Sequence, residues 1–209
     1  MLLIRIINKA FRKNTNRSFY EYNNIEGWLT QEEAKGLHTI ANSLPKNATV
    51  VEIGSWKGKS TFCIATGLKN GVIHCIDPFN SAGEEGSKEI YEKNQGAESL
   101  LSQFRRNLRS IPKSVQIKVH KGYSQDFVGA IPQIDFLFID GDHSIDGCKY
   151  DFENYSHYVN INGLIAFHDF YPERKELGPT WVVENLVKHN SSFKFFCGYD
   201  SLQVFQKVK

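Results

Sequence analysis

No stretch of this chain is apolar for long enough to cross a bilayer, and no segment is repeated or of low complexity. A membrane span needs about 20 consecutive apolar residues, so a membrane-spanning architecture is not expected. Net charge is also small. The 25 Lys and Arg against 23 Asp and Glu leave +2, which gives no whole-protein argument for a nucleic-acid partner. Cysteine is sparse: Cys63, Cys75, Cys148 and Cys197 are scattered and form no CxxC. Cys63 and Cys75 fall inside apolar segments and read as small buried hydrophobes, which fits a reducing, cytoplasmic setting. What remains is an ordinary globular composition, 41% hydrophobic and 23% charged over 209 residues. One domain with one substantial core is the expectation.

The N-terminus lacks acid. Residues 1–19 carry Arg5, Lys9, Arg12, Lys13 and Arg17, and no carboxylate precedes Glu21. Leu2, Leu3, Ile6, Ile7, Ala10 and Phe11 recur at roughly helical spacing. One reading is a basic amphipathic helix in peripheral contact with an anionic membrane surface. The other is a helix that packs on the domain or on a second copy in a homo-oligomer. The apolar part is too short for a secretion signal and lacks a small-residue cleavage site. Residues 1–26 are read as a basic extension and 27–209 as the domain.

Along that domain, Thr30-Gln31-Glu32-Glu33 is a capping-box pattern that opens a helix ended by Pro45. Strands are expected at 49–53, 72–76, 115–120, 135–139 and 164–167, the last after a turn at Asn162-Gly163. Helices are expected at 59–68, near 97–108, near 146–155 and at 180–189, with a long loop or lid over 80–97. Phe193–Cys197 and Leu202–Gln206 flank Gly198-Tyr199-Asp200-Ser201, a hairpin signal. Strands alternating with helices imply an α/β fold, a doubly wound and mostly parallel sheet covered on both faces. The hairpin adds an antiparallel strand at one side.

The most informative segment is Asp140-Gly141-Asp142-His143-Ser144, which follows the apolar run Phe136-Leu137-Phe138-Ile139. Such a run reads as a buried strand, and in open parallel sheets ligands sit at the strands' carboxyl ends. The next strand, Leu164-Ile165-Ala166-Phe167, ends in His168-Asp169. Two adjacent strands therefore deliver acids and imidazoles to one crevice. Asp142 also reads as a turn residue before the following helix, and His168 as a core histidine bonded to a neighbour. Earlier, the glycine turn Gly54-Ser55-Trp56-Lys57-Gly58 joins the first strand to the first helix of the sheet. Small residues there let backbone amides approach a ligand. Asp77 ends the second strand, and an acid about 20 residues after such a turn can accept both ribose hydroxyls of an adenosine ligand. The alternative for Asp77 is a cap or turn former before Pro78.

In the glycine loop VEIGSWKGKST, the acid of HCIDPF, the strands FLFIDGDHS and LIAFHDF and the closing hairpin, the chain resembles the class I S-adenosylmethionine-dependent methyltransferases over residues 27–207. The resemblance implies a Rossmann-like, seven-stranded sheet. It implies that Glu52, Gly54, Ser55 and Gly58 hold the methionine part of the cofactor and that Asp77 holds the ribose. Tyr123 and Ser124 would border the adenine, with ordinary packing the alternative for Tyr123, and Asp140 would also bind the cofactor.

The segment from Asp140 to His143 is similar to the macrocin-type and cephalosporin-hydroxylase-like O-methyltransferases, in which an Asp precedes a base His by three residues. There an acidic pair on the next strand completes a site for a divalent metal such as magnesium. In this chain the pair is His168-Asp169, so the resemblance implies Asp140, Asp169 and His168 as ligands, with an imidazole, which suits softer metals, in place of one oxygen donor. An alcohol must lose its proton as it attacks the sulfonium methyl. His143, with an ordinary pKa of ~6.5, is the candidate general base. The expected function is O-methylation of a small molecule, a sugar or glycoside hydroxyl first, with no nucleic-acid partner. The competing readings are a nicotinamide (NAD)-dependent oxidoreductase, which shares the glycine turn and ribose acid, and a non-catalytic, membrane-associated scaffold of the same fold.

Overall fold

A computed structural model of the chain describes residues 17–80 and 96–209. The expected basic helix at the N-terminus and the loop over 80–97 lie almost wholly outside the described residues. Seven strands form one sheet: β1 (Ala48–Ile53), β2 (Gly71–Asp77), β3 (Val115–Lys121), β4 (Ile134–Ile139), β5 (Val159–Phe167), β6 (Phe193–Tyr199) and β7 (Leu202–Lys207). Their order is β3-β2-β1-β4-β5-β7-β6. The helices are α1 (Gln31–Ser43), α2 (Lys59–Gly67), α3 (Leu100–Asn107), α4 (Ile145–Tyr155) and the short α5 (Gly178–Val182), which runs on through a wider π turn over Val183–Val187.

The strand sequences dictate this arrangement. β1 and β4 are buried almost without interruption, as strands covered on both faces must be. Successive side chains point to opposite faces. Val50, Phe136 and Phe138 accordingly pack with Leu37 of α1, Phe62 of α2 and Phe104 of α3. Val51, Leu137 and Ile139 pack on the other face with Phe152 and Tyr155 of α4 and Val182 of α5. β1 pairs in parallel with both β2 and β4, and β4 with β5. The hairpin forms as expected, with β7 antiparallel to β5 and to β6. The chain winds outward from β1 through β2 to β3, then restarts at β4 on the other side, so the switch point falls between the carboxyl ends of β1 and β4. A crevice opens at such a point.

Local signals hold at most boundaries. Thr30 accepts from Glu33 N–H at 3.2 Å and its own N–H donates to Glu33 Oε2 at 2.8 Å, completing the capping box of α1. Two expectations are corrected. Asn162-Gly163 does not precede β5 but lies within it. The pairing of β4 with β5 shifts register between Ile134 and Phe136, and Asn162 takes a left-handed φ of 69°, so the turn pair becomes a kink in a longer strand. The last helix begins at Gly178, with Pro179 in its first turn, where the missing N–H costs nothing. Phe19, Tyr22 and Ile25 are buried in the same cluster as α1 and α2. Among the described residues no helix is long and apolar enough to cross a membrane, and all four cysteines are free and buried.

Gly54 closes the switch point. Its N–H donates to Ile76 O at 3.0 Å while Asp140 N–H donates to Ile53 O at 2.9 Å, which draws the ends of β1, β2 and β4 together. Its φ is +87°, and a Cβ there would run into the Asp140 carbonyl. Gly54→Ala therefore combines a left-handed non-glycine residue with overpacking against backbone. We expect a loss of about 3 kcal/mol in denaturant or thermal unfolding; a loss below ~1 kcal/mol would show that the strand ends can part freely.

Candidate active site

A cavity of about 810 Å³ opens where the strands end, within the range of small-molecule pockets, ~300–1,000 Å³. The glycine turn forms one wall. Gly58, at φ +84°, is the N-cap of α2, and a side chain there would press on the Phe104 ring. Ser55 and Trp56 N–H donate to Asp77 Oδ2 at 3.0 and 2.7 Å, and Phe79 N–H donates to Oδ1 at 2.6 Å. Asp77 thus forms the turn expected of it before Pro78, and it also lines the cavity. Each of its oxygens can accept two hydrogen bonds, so capacity remains for a hydroxyl. Burial raises its pKa against the pull of the three amides.

Gly54, Ser55, Gly122, Tyr123 and Ser124 all border the same space. Tyr123 is not packed away: it is 53% exposed, and its hydroxyl accepts from Asn80 Nδ2 at 3.3 Å. Glu52 is placed otherwise than the resemblance implies. It is fully buried and faces the layer beneath the turn rather than the cavity, where its Oε2 accepts from Ser55 Oγ at 2.7 Å and from Thr61 Oγ1. Burial drives its carboxyl up to about 7, against the pull of those hydroxyls. Its reach to a ligand is indirect, through Ser55.

Two features of the cavity wall escaped the sequence reading. Asp151, on the inner face of α4, is buried on the cavity wall beside Ser124 and Gly141, and burial raises its carboxyl to about 7 despite a hydrogen bond from Ser124. The signal was present: Cys148, Phe152 and Tyr155 mark an apolar stripe, and Asp151 falls inside it. Also on the cavity wall, Trp28 packs on Trp56 with ring centres 4.6 Å apart and planes tilted by 32°. Lys57 Nζ holds Glu26 at 2.7 Å and Lys59 Nζ holds Gly27 O at 3.0 Å, fastening this segment over the glycine turn.

The acid–imidazole cluster gathers as the strand ends require. His143 lines the cavity, its Nε2 3.4 Å from Asp169 Oδ2 and 3.6 Å from Asp140 Oδ1. Asp169 holds a left-handed φ of 56°, which turns its carboxylate back towards Asp140, and Tyr171 OH donates to its Oδ1 at 3.3 Å. Asp142 acts as the turn residue: its Oδ1 accepts from Ser144 N–H at 2.8 Å, and Ser144 caps α4.

His168, implied as a ligand, borders the cavity from a buried position. It is 3% exposed, with Nδ1 3.0 Å from Asp140 Oδ1 and 3.4 Å from Asp169 Oδ2. Its Nε2 lies 3.2 Å from Glu33 Oε2, on α1. Both ring nitrogens face carboxylates, Nε2 towards Glu33 and Nδ1 towards Asp140 and Asp169. Burial opposes the charge on His168, but Asp140, Asp169 and Glu33 outweigh it and raise its pKa well above the usual value. Burial likewise opposes ionisation of Asp140 and Glu33, yet His168 and their other hydrogen-bond donors hold both near 2.

Among the described residues the group able to share an ion is Asp140, His143 and Asp169, with one ligand atom each inside 4.8 Å. Two carboxylates and an imidazole make a mixed oxygen and nitrogen donor set, which suits a borderline dication better than magnesium.

Glu52 gives the layer beneath the glycine turn a pH dependence. Its carboxyl would lose its proton near 4.5 in the unfolded chain but keeps it to about 7 when folded, so stability falls as pH rises between those values and levels off above. Asp151 acts in the same sense. Glu52→Gln should remove its share of the decline, about 2 kcal/mol between pH 5 and 8, read as urea midpoints across that range; an unchanged pH slope would place the charge on Glu52 already at pH 5.

Residues 51–170 match the family model described as "Methyltransferase domain". An uncharacterised protein of Acanthamoeba polyphaga mimivirus is 33% identical over 145 residues, 66% of this chain; the chain spans 59% of that relative's length. Among solved structures, the O-methyltransferase TomG from Streptomyces achromogenes, in complex with SAM, superposes with a TM-score of 0.62 at 14% identity, covering 94% of this chain and 92% of that one. An O-methyltransferase from Bacillus cereus in complex with SAH gives 0.56 at 17%, covering 94% and 93%. At such identities these two likenesses are of fold.

Proposed function

The chain belongs to this methyltransferase-domain family, and from that premise we propose that it moves the methyl group of S-adenosylmethionine to a hydroxyl oxygen of a small-molecule acceptor, with His143 as general base. The observation that carries this reading is that His143, the glycine turn and Asp77 share one cavity. In the reaction the acceptor oxygen forms a bond to the methyl carbon as the carbon–sulfur bond breaks, the hydroxyl proton passes to His143, and S-adenosylhomocysteine is left. Gly54 and Ser55 cradle the methionine end, with Glu52 supporting Ser55 from below, while Gly58 does not border the cavity and instead turns the chain into α2. Asp77 takes the ribose, and Tyr123 and Ser124 border the adenine. Asp140 and Asp169 face His143 Nε2, so an imidazolium formed there meets two carboxylates, the orienting and stabilising role that an acid plays beside a catalytic histidine.

A sugar or glycoside is the acceptor this cavity suits best. Trp28, Trp56 and Tyr171 supply ring faces, and Asp142 and Arg174 supply polar groups around the opening. Free, buried cysteines suit a cytoplasmic setting.

Calorimetry with S-adenosylhomocysteine and NAD separates the two cofactor readings. Preferential binding of S-adenosylhomocysteine is expected; preference for NAD would return the chain to the oxidoreductases. With a labelled methyl donor and a panel of hydroxylated acceptors, His143→Ala should lower the transfer rate by ~10²–10⁴ while S-adenosylhomocysteine affinity stays within about threefold. A variant that transfers at the wild-type rate would remove His143 from the chemistry.

A further inference from the structure

We propose that Asp151 reads the base of the cofactor: its carboxyl, set in the cavity wall behind Ser124, accepts a hydrogen bond from the 6-amino group of adenine and makes the pocket selective for an aminopurine. The inference rests on the methyltransferase reading, under which the adenosine lies beside Tyr123 and Ser124.

Two elements meet at this carboxyl. Asp151 is on the inner face of α4 and only 3% exposed, yet it borders the cavity. One helical turn later, Tyr155 OH donates to Ser124 O at 2.6 Å, which fixes α4 against the loop after β3. Ser124 also hydrogen-bonds the Asp151 carboxyl. Gly141, at the end of β4, stands on the other side. A Cβ there would lie 3.5 Å from Asp151 Oδ2, so the missing side chain keeps the space over that oxygen open. The polar groups at this end of the cavity differ in depth. Tyr123 and Gln125 are exposed, whereas Ser124 and Asp151 are buried. A flat base that rests between Tyr123 and Ser124 turns its rim to the wall behind them, and the ionisable group in that wall is Asp151.

The chemistry of the two rims matches. A carboxylate only accepts hydrogen bonds, and a carboxylic acid accepts and also donates one. The rim of adenine carries one strong donor, the 6-amino group, flanked by ring nitrogens that accept. In either form Asp151 offers an acceptor to the amino group, and the protonated form adds a donor for a ring nitrogen beside it. A purely structural role leaves the acid unexplained. Ser124 donates to it and Asp142 repels its charge, while no cation acts on it among the described residues. A buried carboxyl with one hydroxyl partner is costly, and Tyr155 already holds the main chain of Ser124. A ligand amino group supplies the donor that the protein does not.

The test is calorimetry on the full chain with two ligands, S-adenosylhomocysteine and its 6-deamino analogue, in which hydrogen replaces the amino group. The wild type should bind S-adenosylhomocysteine ~10–100-fold more tightly, the range of one hydrogen bond to a buried ionisable group. Asp151→Leu should bring the two affinities within about threefold of each other, by weakening S-adenosylhomocysteine and sparing the analogue. A residue that only supports Ser124 would weaken both ligands alike and leave their ratio unchanged. That result, or a wild-type preference below about threefold, would overturn the proposal while leaving the methyltransferase reading intact. If Asp151→Leu does not fold, by near-ultraviolet circular dichroism, Asp151→Ala is read in the same way, and the wild-type ratio decides in either case. A wild type that binds neither ligand would overturn the methyltransferase reading and this proposal together.

Discussion

The buried chain Glu33–His168–Asp140 is the constraint on which the rest of the site depends. Three carboxylates, those of Glu33, Asp140 and Asp169, surround one imidazolium that is almost wholly excluded from water. Taking such groups out of water costs several kcal/mol per ion, and the cost is recovered only when every charge is paired and every lone pair is used. Glu33 meets that condition fully, with donors from Thr30 and Ser201 on its two oxygens. Removing one member of a buried pair typically costs ~3–5 kcal/mol because its partner is left uncompensated. The cluster is thus one unit. α1, the end of β5, the end of β4 and the β6–β7 turn are placed relative to one another by the same set of charges.

This unit matters because of where the sheet puts it. Winding outward from β1 and restarting at β4 leaves the carboxyl ends of both strands facing a common opening, and Gly54 lets those ends approach more closely than any side chain would permit. The glycine turn and Asp77 then occupy one side of the opening and the acid–imidazole cluster the other. Asp140 belongs to both sides. Its backbone is bonded to the end of β1 and its carboxylate to His168. The glycine turn and the acid–imidazole cluster are therefore held in register through Asp140 rather than by separate loops.

Much of this was legible in the sequence because the relevant signals are local. Apolar runs that stop at Asp77, Asp140 and His168 state both the strand and the edge where the cavity opens. Thr30 and Glu33 state the start of α1, and the spacing around Gly198 states the hairpin. What was not legible is the second use of residues that already had a local explanation. Glu33 reads as half of a capping box, and nothing beside it in the chain announces His168 or Ser201, which reach it from β5 and the β6–β7 turn. His168 reads as a ligand or as a bonded core histidine; its charge is decided by an acid on another element. Glu52 sits in the glycine loop, and only the pleat of β1 determines that it turns inward. Asn162-Gly163 carries a strong turn signal that the pairing of β5 with β4 and β7 overrides.

The exchange of one carboxylate for an imidazole at the end of β5 shows how a fold can keep its site and change its chemistry. In the arrangement this chain resembles, two acids on that strand and one on the strand before it create a concentration of negative charge that an external cation neutralises. Here one of those positions carries an imidazole instead, and the carboxylates around it raise its pKa well above the usual value. A protonated ring differs from an acid by two charges, so the same strand end can change the electrostatics of the cavity without moving the backbone. Asp140 and Asp169, which face His168 Nδ1, also face His143 Nε2, so the charge on one ring bears on the other through the same two oxygens.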